Sequence, residues 1–154
     1  MSNSAQIRAA IASIVNSVDG AGLFHDREKY SKTTSKLKEF YVTGAVIAGG
    51  FVRRVGRRKE SPDAGHTFVV FSTWELHYFR SFQEDEDSEV GFDALLDAMD
   101  AAFDADQTLG GTVDTIVTDE QSGLRLLTSQ PAMFAGFLVH YAKLRLISEH
   151  SESA

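Results

Sequence analysis

Apolar residues at the start of the chain recur every three or four positions. Ile7, Ala10, Ile11, Ile14, Val15 and Val18 make one stripe, which predicts an amphipathic helix over 4–18. Ser4 suits its N-cap and Asp19-Gly20 its stop. Periodicity then fades, and residues 19–41 read as an irregular, lysine-rich connection whose 29–38 stretch is a mobile loop. A run of small and β-branched residues over 41–55 predicts a strand, with Gly49-Gly50 marking a bulge or the close approach of another backbone. Residues 56–65, basic and holding Pro62, read as a hairpin connection.

The next segment, 67–79, alternates. Phe68, Val70, Trp74, Leu76 and Tyr78 point one way; Thr67, Thr73, Glu75 and His77 point the other. That is the pattern of a half-buried antiparallel strand. A second helix is predicted from about Ser88, with Phe92, Leu95, Leu96, Met99 and Phe103 on its buried side. Gly110-Gly111 closes that region. Two short strands at 112–118 and 124–128, joined by Gln121-Ser122-Gly123, lead to a long last strand over 133–147. Its core side is Phe134, Leu138, Ala142, Leu144 and Leu146, and Pro131 is expected in a loop before it. The polar stretch 148–154 reads as a frayed tail. The simplest assembly is one α+β domain over 1–154, an antiparallel β-sheet with two main helices packed on one face.

Composition narrows the class. Length 154, 43% hydrophobic and 24% charged residues suit one ordinary globular domain. Eleven Phe against one Trp and four Tyr make the core largely aromatic without hydrogen-bonding demands. No cysteine is present, which excludes disulfides, thiolate metal sites and a cysteine nucleophile. The opening Met-Ser-Asn-Ser-Ala lacks the basic start and apolar run of a signal peptide, and no apolar stretch approaches a membrane span.

Charge changes the picture more. The net value is −7, yet ten of the fifteen basic residues fall between Arg27 and Glu60, and ten acidic residues without a basic one fall between Glu84 and Asp106. Either these are two solvated surfaces, or the basic edge of one subunit meets the acidic face of the next. The residues singled out for such a joint are Arg53, Arg54, Arg57, Arg58 and Lys59 on one side and Asp93, Asp97, Asp100 and Asp104 on the other.

Catalytic patterns are missing. His25-Asp26-Arg27-Glu28 are adjacent residues that seldom converge, and His66, His77 and His140 lack ligand spacing. His77 shares a strand face with Glu75, which suggests a surface or interface role; His140 reads as a satisfied core histidine. The four aspartates have no Glu-x-x-His partner motif, and there is no P-loop, GxGxxG or GxSxG. The basic run lacks interleaved aromatics and a groove-reading helix, so sequence-specific DNA readout is not expected. The expectation is a non-enzyme without cofactor or metal.

Several features in order carry a resemblance over nearly the whole chain. They are the opening helix followed by Leu23-Phe24-His25-Asp26-Arg27-Glu28, the strand pair around Gly49-Gly50-Phe51 and Trp74-Glu75-Leu76, the helix ending in Asp106-Gln107-Thr108-Leu109-Gly110-Gly111-Thr112-Val113, and the closing His140-Tyr141-Ala142-Lys143-Leu144-Arg145-Leu146. In this order the chain resembles tail-terminator and neck proteins of long-tailed phages, in the variety found in Mu-like phages and prophages. The resemblance implies a tail-terminator-like subunit that forms a ring, a hexamer in that family, on the finished tail tube. Such a ring ends polymerisation and provides the head–tail joining surface. The implied partners are the chain itself, the tail tube protein, a head–tail connector protein, and DNA passing through the lumen without sequence-specific contact. No membrane is involved, and the implied location is the tail–neck junction of the virion after synthesis in the host cytoplasm. Another neck protein (a stopper or completion protein) and a non-viral protein-binding adaptor share these features.

Overall fold

A computed structural model describes residues 4–28, 42–43, 46–82, 88–134 and 136–153. The expected mobile loop at 29–38, with its lysines, and the acidic residues Glu84, Asp85, Glu86 and Asp87 lie outside the described residues. The elements are α1 (Ser4–Asn16), β1 (Leu23–His25), β2 (Val42–Thr43), β3 (Val46–Glu60), β4 (Thr67–Ser81), α2 (Ser88–Ala105), β5 (Arg125–Phe134) and β6 (Phe137–Ser153). The class is α+β, as the periodicities predict.

The strand that alternates most clearly organises the rest. β4 pairs antiparallel with β3 on one side and with β6 on the other, giving the order β1-β3-β4-β6-β5, with β2 adding to β3. Val70, Ser72, Trp74, Leu76 and Tyr78 are all buried, every second residue of the strand. Ile7, Ile11 and Val15 of α1 and Phe92, Leu96, Met99 and Phe103 of α2 join Trp74, Leu76, Tyr78, Leu144 and Leu146 in one core. Both helices therefore cover the same sheet face. Each fully buried Leu, Ile or Phe contributes about 1.5–3 kcal/mol, so this face dominates stability. Trp74 satisfies its one donor internally, Nε1 donating to Ser148 Oγ at 2.9 Å.

The sheet is mixed rather than purely antiparallel, because β1 pairs parallel with β3 through Leu23↔Gly49, Phe24↔Gly50 and His25↔Phe51. Three residues are too few for alternation to announce a strand. Asn16 holds it instead: its Nδ2 donates to Phe24 O at 2.8 Å, and Phe24 N donates to its Oδ1 at 3.0 Å. Arg8 adds bonds to the carbonyls of Asp26 and Val52. The Gly49-Gly50 pair is the expected close approach. A Cβ on Gly49 would collide with the carbonyl oxygen of Leu23, and one on Gly50 with that of His77.

Other boundaries move. β3 runs on to Glu60, so the basic residues expected in a 56–65 connection lie on a strand, and the turn is residues 61–66. Ser61 and Asp63 build that turn: Asp63 accepts from Thr67 N and Oγ1, and Ser61 Oγ donates to Thr67 O. The bulge lies between Arg54 and Gly56, not at the glycine pair. The strand expected at 112–118 is a series of turns with isolated bridges Thr115↔Glu149 and Val117↔Ser122. The expected strand over 133–147 is split by a hairpin, with Gly136 at φ 83; the apolar run Met133-Phe134 and Phe137-Leu138 hides the turn. Phe134 stacks on Phe79 on the face away from the helices, and Leu138 is exposed. Pro131 lies in β5, where an edge strand tolerates its missing donor. The expected frayed tail is strand through Ser153, because β4 pairs with it to the end, Thr67↔Ser153.

Gly50→Ala is expected to destabilise by about 3 kcal/mol or more, since the obstruction is backbone. Gly91→Ala, on an open helix position with nothing within 4 Å, is expected to stabilise by about 0.5–1 kcal/mol. Urea unfolding of both variants checks the pair.

Candidate interaction surfaces

The basic residues occupy the outer edge of β3. β1 and β2 reach only as far as Phe51 along that strand, so among the described residues Val52–Glu60 pairs on one side only. Arg53, Arg54, Arg57, Arg58 and Lys59 are all exposed there, and exposed Val55 is the bulged residue. Bulge and charge together guard an open edge against stray pairing. Several of these cations already have local company. Arg57 lies 3.6 Å from Glu152, and Arg58 pairs with Glu60 and with Glu120. Arg58 also lies over the Phe71 ring at 4.2 Å, and Lys59 over Phe68 at 4.9 Å. A hydrogen bond from His150, then Arg57 and Lys59, holds the Glu152 carboxyl below its ordinary range. Arg53 and Arg54 form no ion pair among the described residues.

Asp93, Asp97, Asp100 and Asp104 line the solvent side of α2. Among the described residues none of them forms an ion pair. Partial burial, then Asp104 and Asp97, raise the Asp100 carboxyl above its ordinary range. The basic edge and the acidic face are thus not brought together within one chain.

The sheet face away from the helices holds an arrangement that periodicity does not assemble. His77 Nδ1 and the Tyr141 hydroxyl oxygen lie 2.5 Å apart, while Glu75 Oε1 lies 2.7 Å from Nε2. That carboxylate sits off the line of the ring N–H, so its contact is electrostatic rather than an aligned hydrogen bond. Burial pushes His77 below its ordinary pKa against the pull of Glu75, with Arg53 and Lys143 adding to the depression. Burial, then Glu75, raises the Tyr141 hydroxyl. These directions fit a neutral imidazole accepting at Nδ1. Beside it runs a groove of about 320 Å³ lined by Phe51, His77, Phe79, Phe134 and Tyr141, with Gln130 and Glu28 at its polar positions. Alternation places Glu75 and His77 on one face. Tyr141 joins them only through the β4–β6 register, Phe79↔Tyr141.

Of the other histidines, His140 is held in the fold. His140 Nε2 meets Ser88 Oγ at 2.7 Å and its ring stacks on Phe82 and Phe92. His66 is exposed near the β3–β4 turn, and after His25 the exposed pair Asp26–Arg27 closes at 3.3 Å. Among the described residues no group of three or more His, Asp or Glu side chains is placed to hold a metal ion. No described helix is long and apolar enough to cross a membrane. No known protein family and no curated protein matches the chain.

His77 yields a pH signature. Its folded pKa lies below the unfolded value of about 6.5, so on acidification the unfolded chain binds the proton first. Stability from this group is complete above about pH 6.5 and declines as pH falls through that value. In urea titrations from about pH 7.5 to about pH 5, His77→Gln is expected to show a shallower fall than the parent. Equal slopes would contradict the buried, neutral assignment.

Proposed function

We propose that the chain is a structural subunit that assembles head-to-tail into a ring, and that it is a tail terminator of a long-tailed phage. The observation that carries the assembly reading is the unpaired state of both charge sets among the described residues: Asp93, Asp97, Asp100 and Asp104 on α2, and Arg53 and Arg54 on the β3 edge. Two unlike, self-unsatisfied surfaces on different elements favour a heterologous contact, which closes into a ring when the rotation per subunit permits. Exposed ion pairs contribute about 0.2–1 kcal/mol each, so they set register and partner choice more than affinity. The exposed Val55, at the bulge between Arg54 and Gly56, is an apolar side chain on the basic edge that such a joint would bury.

The order of elements supports the finer reading through its resemblance to tail terminators. In that role the ring, a hexamer, caps the tail tube protein and presents its other face to the head–tail connector at the neck of the virion. DNA passes through its lumen without sequence-specific contact. The role is steric and electrostatic, with no catalytic step and no cofactor.

Native mass spectrometry at physiological salt is expected to find a ring of about six chains, alone or on purified tail tubes. Because Arg57 and Arg58 are paired locally, the informative reversal is Arg53→Glu with Arg54→Glu, which should shift the ring toward monomers. Asp97→Arg with Asp100→Arg in the same chain should restore it. A strict monomer under all these conditions, tail tubes included, would overturn the proposal.

A further inference from the structure

The sheet face away from the helices carries a second charge pattern, which shares only Arg53 with the β3 edge run. Register aligns Arg53, Glu75, Arg145 and Arg125 in one row across β3, β4, β6 and β5. The next row is Phe51, His77, Lys143 and Thr128, and the one after it holds Phe79, Tyr141 and Gln130. Residues paired across strands share a face, so these rows form one surface. Within these rows Arg53, Arg125, Arg145 and Lys143 stand beside one carboxylate, Glu75, and Glu28 lies on the adjoining groove wall, on a chain of net charge −7. Glu75 lies against His77 and ion-pairs with neither arginine beside it among the described residues. Arg145 Nε donates to Gln121 Oε1 at 2.9 Å, which fixes the side chain without neutralising it. Four strands at ordinary spacing make this row about 14 Å wide.

Aromatic rings adjoin the cations. Phe51, His77 and Tyr141 form a ladder with centroids 4.9 and 5.9 Å apart, and the groove of about 320 Å³ opens beside them. Cations next to half-buried rings on a sheet match a strand whose phosphates and base faces are both accessible. A duplex presents its phosphates but hides its base faces, and a broad sheet face does not enter its grooves. We propose that this face binds single-stranded DNA, with phosphates on the Arg53–Arg145–Arg125 row and Lys143, and a base lodged in the groove against Phe51 and Tyr141. Gln130 supplies an amide to the base edge, and the acid Glu28 on the groove wall disfavours a phosphate entering there. Binding of this kind is sequence-tolerant. One subunit carries the whole surface, which shares Arg53 with the proposed subunit joint, so Arg125 and Lys143 are the residues that separate the two roles.

Fluorescence polarisation with a labelled oligothymidylate of about 12 nucleotides tests this. Binding should weaken with salt, and the protein should prefer the oligothymidylate over a duplex of equal length and over polyglutamate. Arg125→Glu with Lys143→Glu should weaken binding at least about tenfold and flatten the slope of log K against log salt by about 0.7 for each phosphate no longer neutralised. Phe51→Leu should weaken oligothymidylate binding about tenfold and leave the weaker duplex binding unchanged. Arg125 is exposed and makes no ion pair among the described residues, so Arg125→Glu alone gives a folded variant should Phe51→Leu fail to fold. No binding at low salt, affinity indifferent to the charge reversals, or equal binding of duplex or polyglutamate would overturn the proposal.

Discussion

β4 has a neighbour on each side along almost its whole length, and its alternate residues from Val70 to Tyr78 must be kept from water. Both helices answer that requirement, and the remaining strands are set by what pairs with β4 and how far. β6 stays in strand to Ser153 because β4 supplies partners to the end, and Ser148 is buried because it accepts the one polar group of Trp74. A side-chain bond in the middle of the core thus orders a segment whose own sequence is polar.

The same constraint decides how much of the fold is legible in the sequence. α1, α2 and β4 are long enough for their periods to repeat, and Ile7 to Val15, Phe92 to Phe103 and Val70 to Tyr78 face the core as the spacing predicts. β1 escapes notice because three residues carry no period and its support comes from Asn16, a side chain that turns back from the preceding helix. The β5–β6 hairpin escapes because Met133-Phe134 and Phe137-Leu138 carry apolar character straight through the turn. Helical spacing places the candidate aspartates on the solvent side of α2, where they lie. Those on β3 are legible as a basic run, but their partners Glu120 and Glu152 lie far along the chain and follow only from tertiary register. The aromatic groove is invisible to periodicity for the same reason, since Phe51, His77 and Tyr141 come from three strands.

The charge asymmetry consequently separates into parts with different physical roles. Arg57, Arg58 and Lys59 are engaged by neighbouring carboxylates and rings, and serve the stability and solubility of an open edge. Arg53, Arg54 and the α2 aspartates form no ion pair among the described residues and are available to another molecule. Edge protection and assembly are compatible, because a guarded edge excludes random strand pairing while still presenting fixed charge to a complementary surface.

β3 and β5 each carry a one-residue irregularity, between Arg54 and Gly56 in β3 and between Leu126 and Thr128 in β5. Each shifts the in–out alternation of the residues beyond it by one step. In β3 this puts Arg58 beside Phe71 on the outer face and Arg57 beside Ser72 on the helix side, the reverse of unbroken counting from Arg53. In β5 it lets Arg125 and Thr128 share a face although they are three residues apart. Val55 and Leu127 therefore act as parity elements. Removing either residue would leave the net charge unchanged, and would exchange the inner and outer faces of every residue in its strand on one side of the bulge.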